Sequence, residues 1–106
     1  MSQPFLVRFA VTTVEQPAIT AIDGNSVFLR TLTICNADAS SKHIYIGVVR
    51  GSATMAHGDF LYYQKNVGGY DAITLSNVLI PDGHQLRAYG ADDTSLSLIG
   101  SGVVGV

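Results

Sequence analysis

Apolar residues in this chain recur at every second position, and that alternation constrains the fold more than any other feature. A period of two puts successive side chains on opposite faces of a strand, whereas a helical face recurs at about 3.6. In "FLVRFAV", Phe5, Val7, Phe9 and Val11 share one face. In "VFLRTLTICN", Leu32 and Ile34 oppose Thr31, Thr33 and Cys35. "HIYIGVV" groups Ile44, Ile46 and Val48 opposite Tyr45, and "DAITLSN" groups Ile73 and Leu75. "HQLRAYG" sets Leu86 and Ala88 against Arg87 and Tyr89, and "SLSLIGSGVVGV" sets Leu96 and Leu98 against Ser95 and Ser97. No stretch carries a convincing helical pattern.

Turn chemistry separates these runs. "DGN" at 23–25 tolerates positive φ or forms Asx turns, and "PDG" at 81–83 suits a turn with Pro in its second position. "NADASSK" at 36–42 and "GADD" at 90–93 read as hairpin connections. Pro17 suits a short edge strand in "EQPAITAIDG", and "GSATMAHGDF" suits a longer loop or a single helical turn. The uncharged tail 94–106 reads as a strand inside the sheet, with completion of a neighbouring subunit as the alternative. The expectation is one all-β domain over 1–106, an antiparallel β-sandwich of seven or eight strands, immunoglobulin-like or jelly-roll-like. Its core should hold Phe9, Leu32, Ile34, Ile44, Ile46, Val48, Ile73, Leu75, Leu86, Ala88, Leu96 and Leu98.

Charge decides which partners such a domain suits. The six Lys and Arg are scattered singly and the net charge is −2, which argues against a nucleic-acid partner. No apolar run is long enough for a membrane helix, and the N-terminus does not read as a signal peptide. Only 13% of residues are charged, against roughly 25% in ordinary soluble domains. A small domain has a large surface for its volume, so its surface must be unusually neutral. Coverage by other subunits, including copies of the same chain, is the expectation that follows.

Candidate chemistry is sparse. Asp82 and His84 flank Gly83, and His57 and Asp59 flank Gly58, but both patterns are ordinary turn composition. The three histidines form no ligand pair, and Asp92 and Asp93 lack the spacing of a calcium loop, so no metal or cofactor is expected. "GSGVVG" is no phosphate loop, Cys35 reads as a buried structural thiol, and a hydrolase built on His57 or His84 is the weakest reading. No catalytic residue is assigned. "FLYYQKNVGGY" stands apart, because Phe60, Tyr62, Tyr63 and Tyr70 crowd into eleven residues. Tyr62 and Tyr63 must face opposite ways, so one joins the core and the other is exposed or at an interface. With Tyr45 and Tyr89, these aromatics are the candidate interface residues, and a glycan-binding platform on Tyr62, Tyr63 and Tyr70 is the alternative.

Two stretches carry a resemblance. Arg30, Leu32, Ile34, Cys35 and Asn36 form an "R-x-L-x-[LIV]-C-N" strand. Leu79 stands just before, and Gly83, Leu86, Arg87 and Ala88 fall within, a "[LI]-x-x-G-x-x-[LI]-R-A" segment leading to a terminal strand with Ser101 and Gly102. This resembles small structural proteins of tailed bacteriophages, over about half the chain. The resemblance implies a non-enzymatic virion component, a capsid decoration (cement) protein that binds itself and a major capsid or tail protein. A receptor- or glycan-binding module of a tail, collar or fibre is the alternative it allows.

Overall fold

The computed structural model describes residues 3–90 and 95–105. Among the described residues are eight strands: β1 (Gln3–Ala10), β2 (Gln16–Thr20), β3 (Val27–Asn36), β4 (Lys42–Arg50), β5 (Phe60–Val67), β6 (Ala72–Ile80), β7 (His84–Gly90) and β8 (Leu96–Val104). They form two antiparallel four-stranded sheets, ordered β1-β8-β3-β6 and β2-β7-β4-β5. The 51–59 loop carries one 3₁₀ turn, His57–Asp59. No helix among the described residues is long and apolar enough to cross a membrane.

The pairing is nested: β1 with β8, β2 with β7, β3 with β6, β4 with β5. It is what results when one long hairpin is rolled so that its successive rungs fall into alternate sheets. This is the jelly-roll arrangement. The immunoglobulin-like alternative does not fit, since its first two strands share a sheet and β1 and β2 here do not. Among consecutive strands only β4 and β5 pair. β3 and β4, and likewise β7 and β8, therefore lie in different sheets, which corrects the hairpin expectation. Local turn chemistry reports a reversal of direction and is blind to which strand the chain then joins. The uncharged tail does lie inside its own sheet, since β8 pairs with both β1 and β3. β2, with Pro17, is an edge strand.

The core between the sheets contains Leu32, Ile34, Ile44, Ile46, Leu86, Ala88, Leu96 and Leu98, as alternation predicts. Phe9, Val48, Ile73 and Leu75 pack against it while only partly buried. Val11, Ile19, Ala21, Val27, Leu29, Val67, Val78 and Ile80 complete it. Several of these escape a strict period-two reading because β3 carries a register shift between Leu29 and Thr31 where it meets β8. Asn77 of β6 has φ +59°, matching this irregularity. The extra residue, Arg30, turns Leu29 and Leu32 to the same face. Gly102 fits where β8 crosses that point, because a Cβ there would run into the Phe28 carbonyl.

The outer face of the first sheet reads in four rows across β1, β8, β3 and β6. They are Pro4, Val103, Phe28, Leu79; Leu6, Ser101, Thr31, Ser76; Arg8, Ile99, Thr33, Thr74; and Ala10, Ser97, Cys35, Ala72. Arg8 is the only charge in these rows, and the bulged residue Arg30 of β3 is exposed between the first two of them. Cys35 sits half-exposed on this face, so the expectation of a buried thiol is corrected: alternation with Ile34 sends it outward.

Candidate functional site

The outer face of the second sheet is built differently. Alternation along β4 turns Tyr45, Gly47 and Val49 outward, and β7 sets Tyr89, Arg87 and Gln85 directly opposite them. Tyr45 and Tyr89 stack face to face, with centroids 4.5 Å apart and planes 4° from parallel. Phe60 of β5 lies opposite Gly47 and so faces outward. Strict alternation would place Tyr63 on the face opposite Phe60. The β4–β5 register slips on both sides of Ile46, and Gln64 takes φ +53°. These irregularities bring Tyr63 round to Phe60, edge to face at 4.9 Å, and to Tyr45 at 5.2 Å. Aromatic contacts of this kind are worth about 0.5–1.5 kcal/mol each beyond area burial, so the patch is ordered.

One end of this face is covered. The 51–59 loop folds over it, and Met55 is buried against Gly47. A Cβ on Gly47 would run into the Asp59 carbonyl oxygen and stand 2.8 Å from Met55 Sδ, so the loop can lie this close only over glycine. Glu15 clamps the loop from the other side. Its Oε2 accepts from Arg87 Nε at 2.7 Å and from the Met55 backbone N–H at 3.2 Å. Arg87 Nη1 also donates to Gln85 Oε1 at 2.8 Å. The open end is the aromatic one. Tyr63 remains 60% exposed, and with His57 it lines a cavity of about 240 Å³. The His57 and Tyr63 rings lie 6.3 Å apart. Burial, followed by the proximity of Tyr45, Tyr63 and Glu15, pushes the Tyr89 phenol above its ordinary value.

The candidate residues thus separate. Tyr45, Phe60, Tyr63 and Tyr89 form one patch. Tyr62 turns inward onto the core, where Lys65 Nζ lies 5.6 Å from its ring centre. Tyr70, at φ +56°, belongs to the turn before β6, where its N–H donates to the Asp38 carbonyl. A platform of Tyr62, Tyr63 and Tyr70 is therefore not assembled: proximity in sequence mixed an inner, an outer and a turn residue.

The other candidates serve the fold. Asp82 Oδ1 accepts from Gly24 N–H at 3.1 Å and its own N–H donates to Ser26 Oγ. His84 N–H donates to the Pro81 carbonyl, which makes Pro81 the first turn residue rather than the second, with Gly83 at φ +82° in the third place. His84 then opens β7 opposite Arg50. Asp59 Oδ2 accepts from Ala56 N–H at 2.8 Å, capping the 3₁₀ turn, so it is not a partner for His57. Asp92 and Asp93 lie outside the described residues. Among the described residues, no three His, Cys, Asp or Glu side chains are grouped to hold a metal ion.

The residue that sequence reasoning missed most is Asn36, the only buried polar side chain described. Its Nδ2 faces the carbonyls of Ser40, Val67 and Gly68 at 2.8, 3.1 and 3.2 Å. Its Oδ1 accepts from Asp38 N–H at 3.0 Å and from Ser95 Oγ–H at 2.7 Å. One side chain thereby ties together the end of β3, the turn after it, the end of β5 and the start of β8. No family model matches the chain, and no curated protein matches it either.

Proposed function

We propose that this protein is a non-catalytic attachment module that binds a larger assembly through the aromatic face of its second sheet. The observation that carries this reading is the Tyr45, Tyr63, Tyr89 and Phe60 patch, held rigid by ring contacts and by the Glu15–Arg87 clamp, with Tyr63 left exposed. Rigid aromatic area with polar tips is what protein interfaces favour, because little side-chain entropy is lost on binding. The resemblance of 30–36 and 79–102 to small tailed-phage structural proteins supports a virion component, most specifically a decoration protein on the capsid shell. The jelly roll is used by capsid and lectin domains alike, which supports the reading only at the level of the fold. Repetition over a symmetric shell would add avidity to a modest single contact.

The test is co-sedimentation of the purified protein with virions and emptied shells from the source of the gene. Tyr63→Ser should weaken binding by about tenfold or more, the loss typical of a central aromatic anchor. A copy number in the hundreds per particle identifies the shell, and a handful identifies the tail. Absence from particles, with no binding to them, refutes the virion reading.

The cavity beside His57 and Tyr63 favours a second reading, a glycan-binding module of a tail or fibre. At about 240 Å³ it is smaller than the roughly 300–1,000 Å³ of enclosing ligand pockets. Its shape suits a ring resting on Tyr63 rather than one engulfed. Saccharide binding on a glycan array, lost in Tyr63→Ser, would favour this reading over shell attachment.

A further inference from the structure

The opposite side of the molecule poses a separate problem. The protein exposes 5674 Å², close to what a compact monomer of its 11.2 kDa mass presents, so its shortage of charge is not offset by unusual burial. The outer face of the first sheet carries two charges, Arg8 and Arg30. Leu6, Leu79 and Ile99 on this face are 63%, 52% and 41% exposed. Among the described residues, no loop crosses these rows in the way 51–59 crosses the second sheet. Four of the six hydroxyls in the rows are partnered within the face: Thr31 Oγ1 and Ser101 Oγ lie 3.2 Å apart, as do the Thr33 and Thr74 hydroxyls. Covering such a face therefore leaves few polar groups stranded.

We infer that two copies of this chain pair through the outer face of the first sheet. Two arguments select a second copy as the occupant. First, a sheet face whose only charges are Arg8 and Arg30 is complemented by a second one with the same twist, and two such sheets stack about 10 Å apart at about 30°. The molecule offers only this one, since its second sheet is half covered by the loop. The contact is then isologous and closes as a two-fold dimer. Second, the size fits. Eight residues of β1 at about 3.4 Å, by four strands at about 4.8 Å, give roughly 500 Å² per copy in projection, or about 1,000 Å² for the pair. That reaches the lower bound for a specific interface before side-chain relief is counted.

This pairing does not rest on the attachment reading, and it has its own reporter. Cys35, the only cysteine, sits on the paired face. Sedimentation velocity of the whole chain over the micromolar range should show a monomer–dimer equilibrium insensitive to salt. The rate of reaction of Cys35 with a thiol reagent should fall as the dimer fills. Ile99→Glu, at the centre of the face, should weaken pairing by about a hundredfold or more and leave Cys35 reactivity independent of concentration, with the circular dichroism spectrum unchanged. Thr33→Arg should do the same and guards against misfolding of the first variant. Tyr63→Ser, on the other sheet, should leave pairing intact. The proposal is overturned if the wild type stays monomeric throughout. It is also overturned if it pairs while Cys35 keeps its full reactivity, or if Tyr63→Ser rather than Ile99→Glu abolishes pairing.

Discussion

Asn36 is the place to test how this fold is held together. Its amide has two hydrogens for three carbonyls, so it makes about two full donor bonds, and its Oδ1 accepts two more. At about 1 kcal/mol net per bond, Asn36→Ala should cost roughly 4 kcal/mol, a large share of the 5–15 kcal/mol typical of a domain. Asn36→Asp is the sharper probe because it keeps the shape and the Oδ1 bonds. At neutral pH it places a carboxylate oxygen against the carbonyls of Ser40, Val67 and Gly68, which raises the new group's folded-state pKa above the ordinary aspartate value of about 3.9. A raised pKa means that the folded state holds the proton more tightly. The stability linked to it is fully present below about 3.9 and is lost as pH rises through the folded value. Urea denaturation followed by circular dichroism at a series of pH values, each referred to wild type, should show Asn36→Asp at least as damaging as Asn36→Ala near neutrality. It should recover by about 1 kcal/mol or more toward pH ~4.5, when the protonated carboxyl donates one of the lost bonds. A loss below about 1 kcal/mol for Asn36→Ala, or a flat pH profile for Asn36→Asp, would refute the assignment of Asn36 as the tie between the sheets.

Three further outcomes are expected. Gly47→Ala drives a methyl into the Asp59 carbonyl and Met55 Sδ, so it should cost about 1–3 kcal/mol and expose the 51–59 loop to limited proteolysis. Glu15→Gln removes the charge facing Arg87 in a pair whose side chains are only 16% and 13% exposed; a drop of about 1–3 kcal/mol in thermal denaturation is expected, with looser protection of the Met55 amide. In an absorbance titration of the five tyrosines, one should ionise above the ordinary value of about 10, and Tyr89→Phe should remove that late component. Because that pKa is raised in the folded state, its stabilising contribution is present below the ordinary value and lost as pH rises through the shifted one.

What could be read from the chain follows from what is local. Alternation correctly separates inner from outer residues wherever a strand carries no extra residue of its own, as in β7, with Leu86 and Ala88 inner and Arg87 and Tyr89 outer. It fails at the irregularities around Arg30 and Gln64, where one inserted residue reverses the facing of those beyond it. The aromatic patch shows the consequence. Tyr63 joins Tyr45 and Tyr89 only because β5 slips against β4, and Tyr70 stays in its turn. The Glu15–Arg87 pair spans 72 positions and was invisible to any window. Most of the residues behind the phage-like pattern also turn out to build the fold. Leu32, Ile34, Leu86 and Ala88 are core, Asn36 is the tie, Arg87 the clamp, Gly83 and Gly102 backbone fits. Such a pattern marks a way of folding more directly than it marks a job.

The architecture has one consequence that neither face shows alone. In a two-layer sandwich the outer faces of the two sheets point in opposite directions. Pairing through the first sheet therefore stacks four sheets and leaves one aromatic patch on each outer surface of the dimer. Such a dimer is bivalent in the geometric sense: it can join two sites facing one another, but it cannot set both patches on the same flat surface. On a shell it would bridge between neighbouring raised features. In solution with isolated target subunits it should bind two per dimer, and Ile99→Glu should reduce this to one per chain acting singly. That variant should lose avidity for the particle and keep its affinity for a single subunit, a split that separates a pairing defect from damage to the aromatic face.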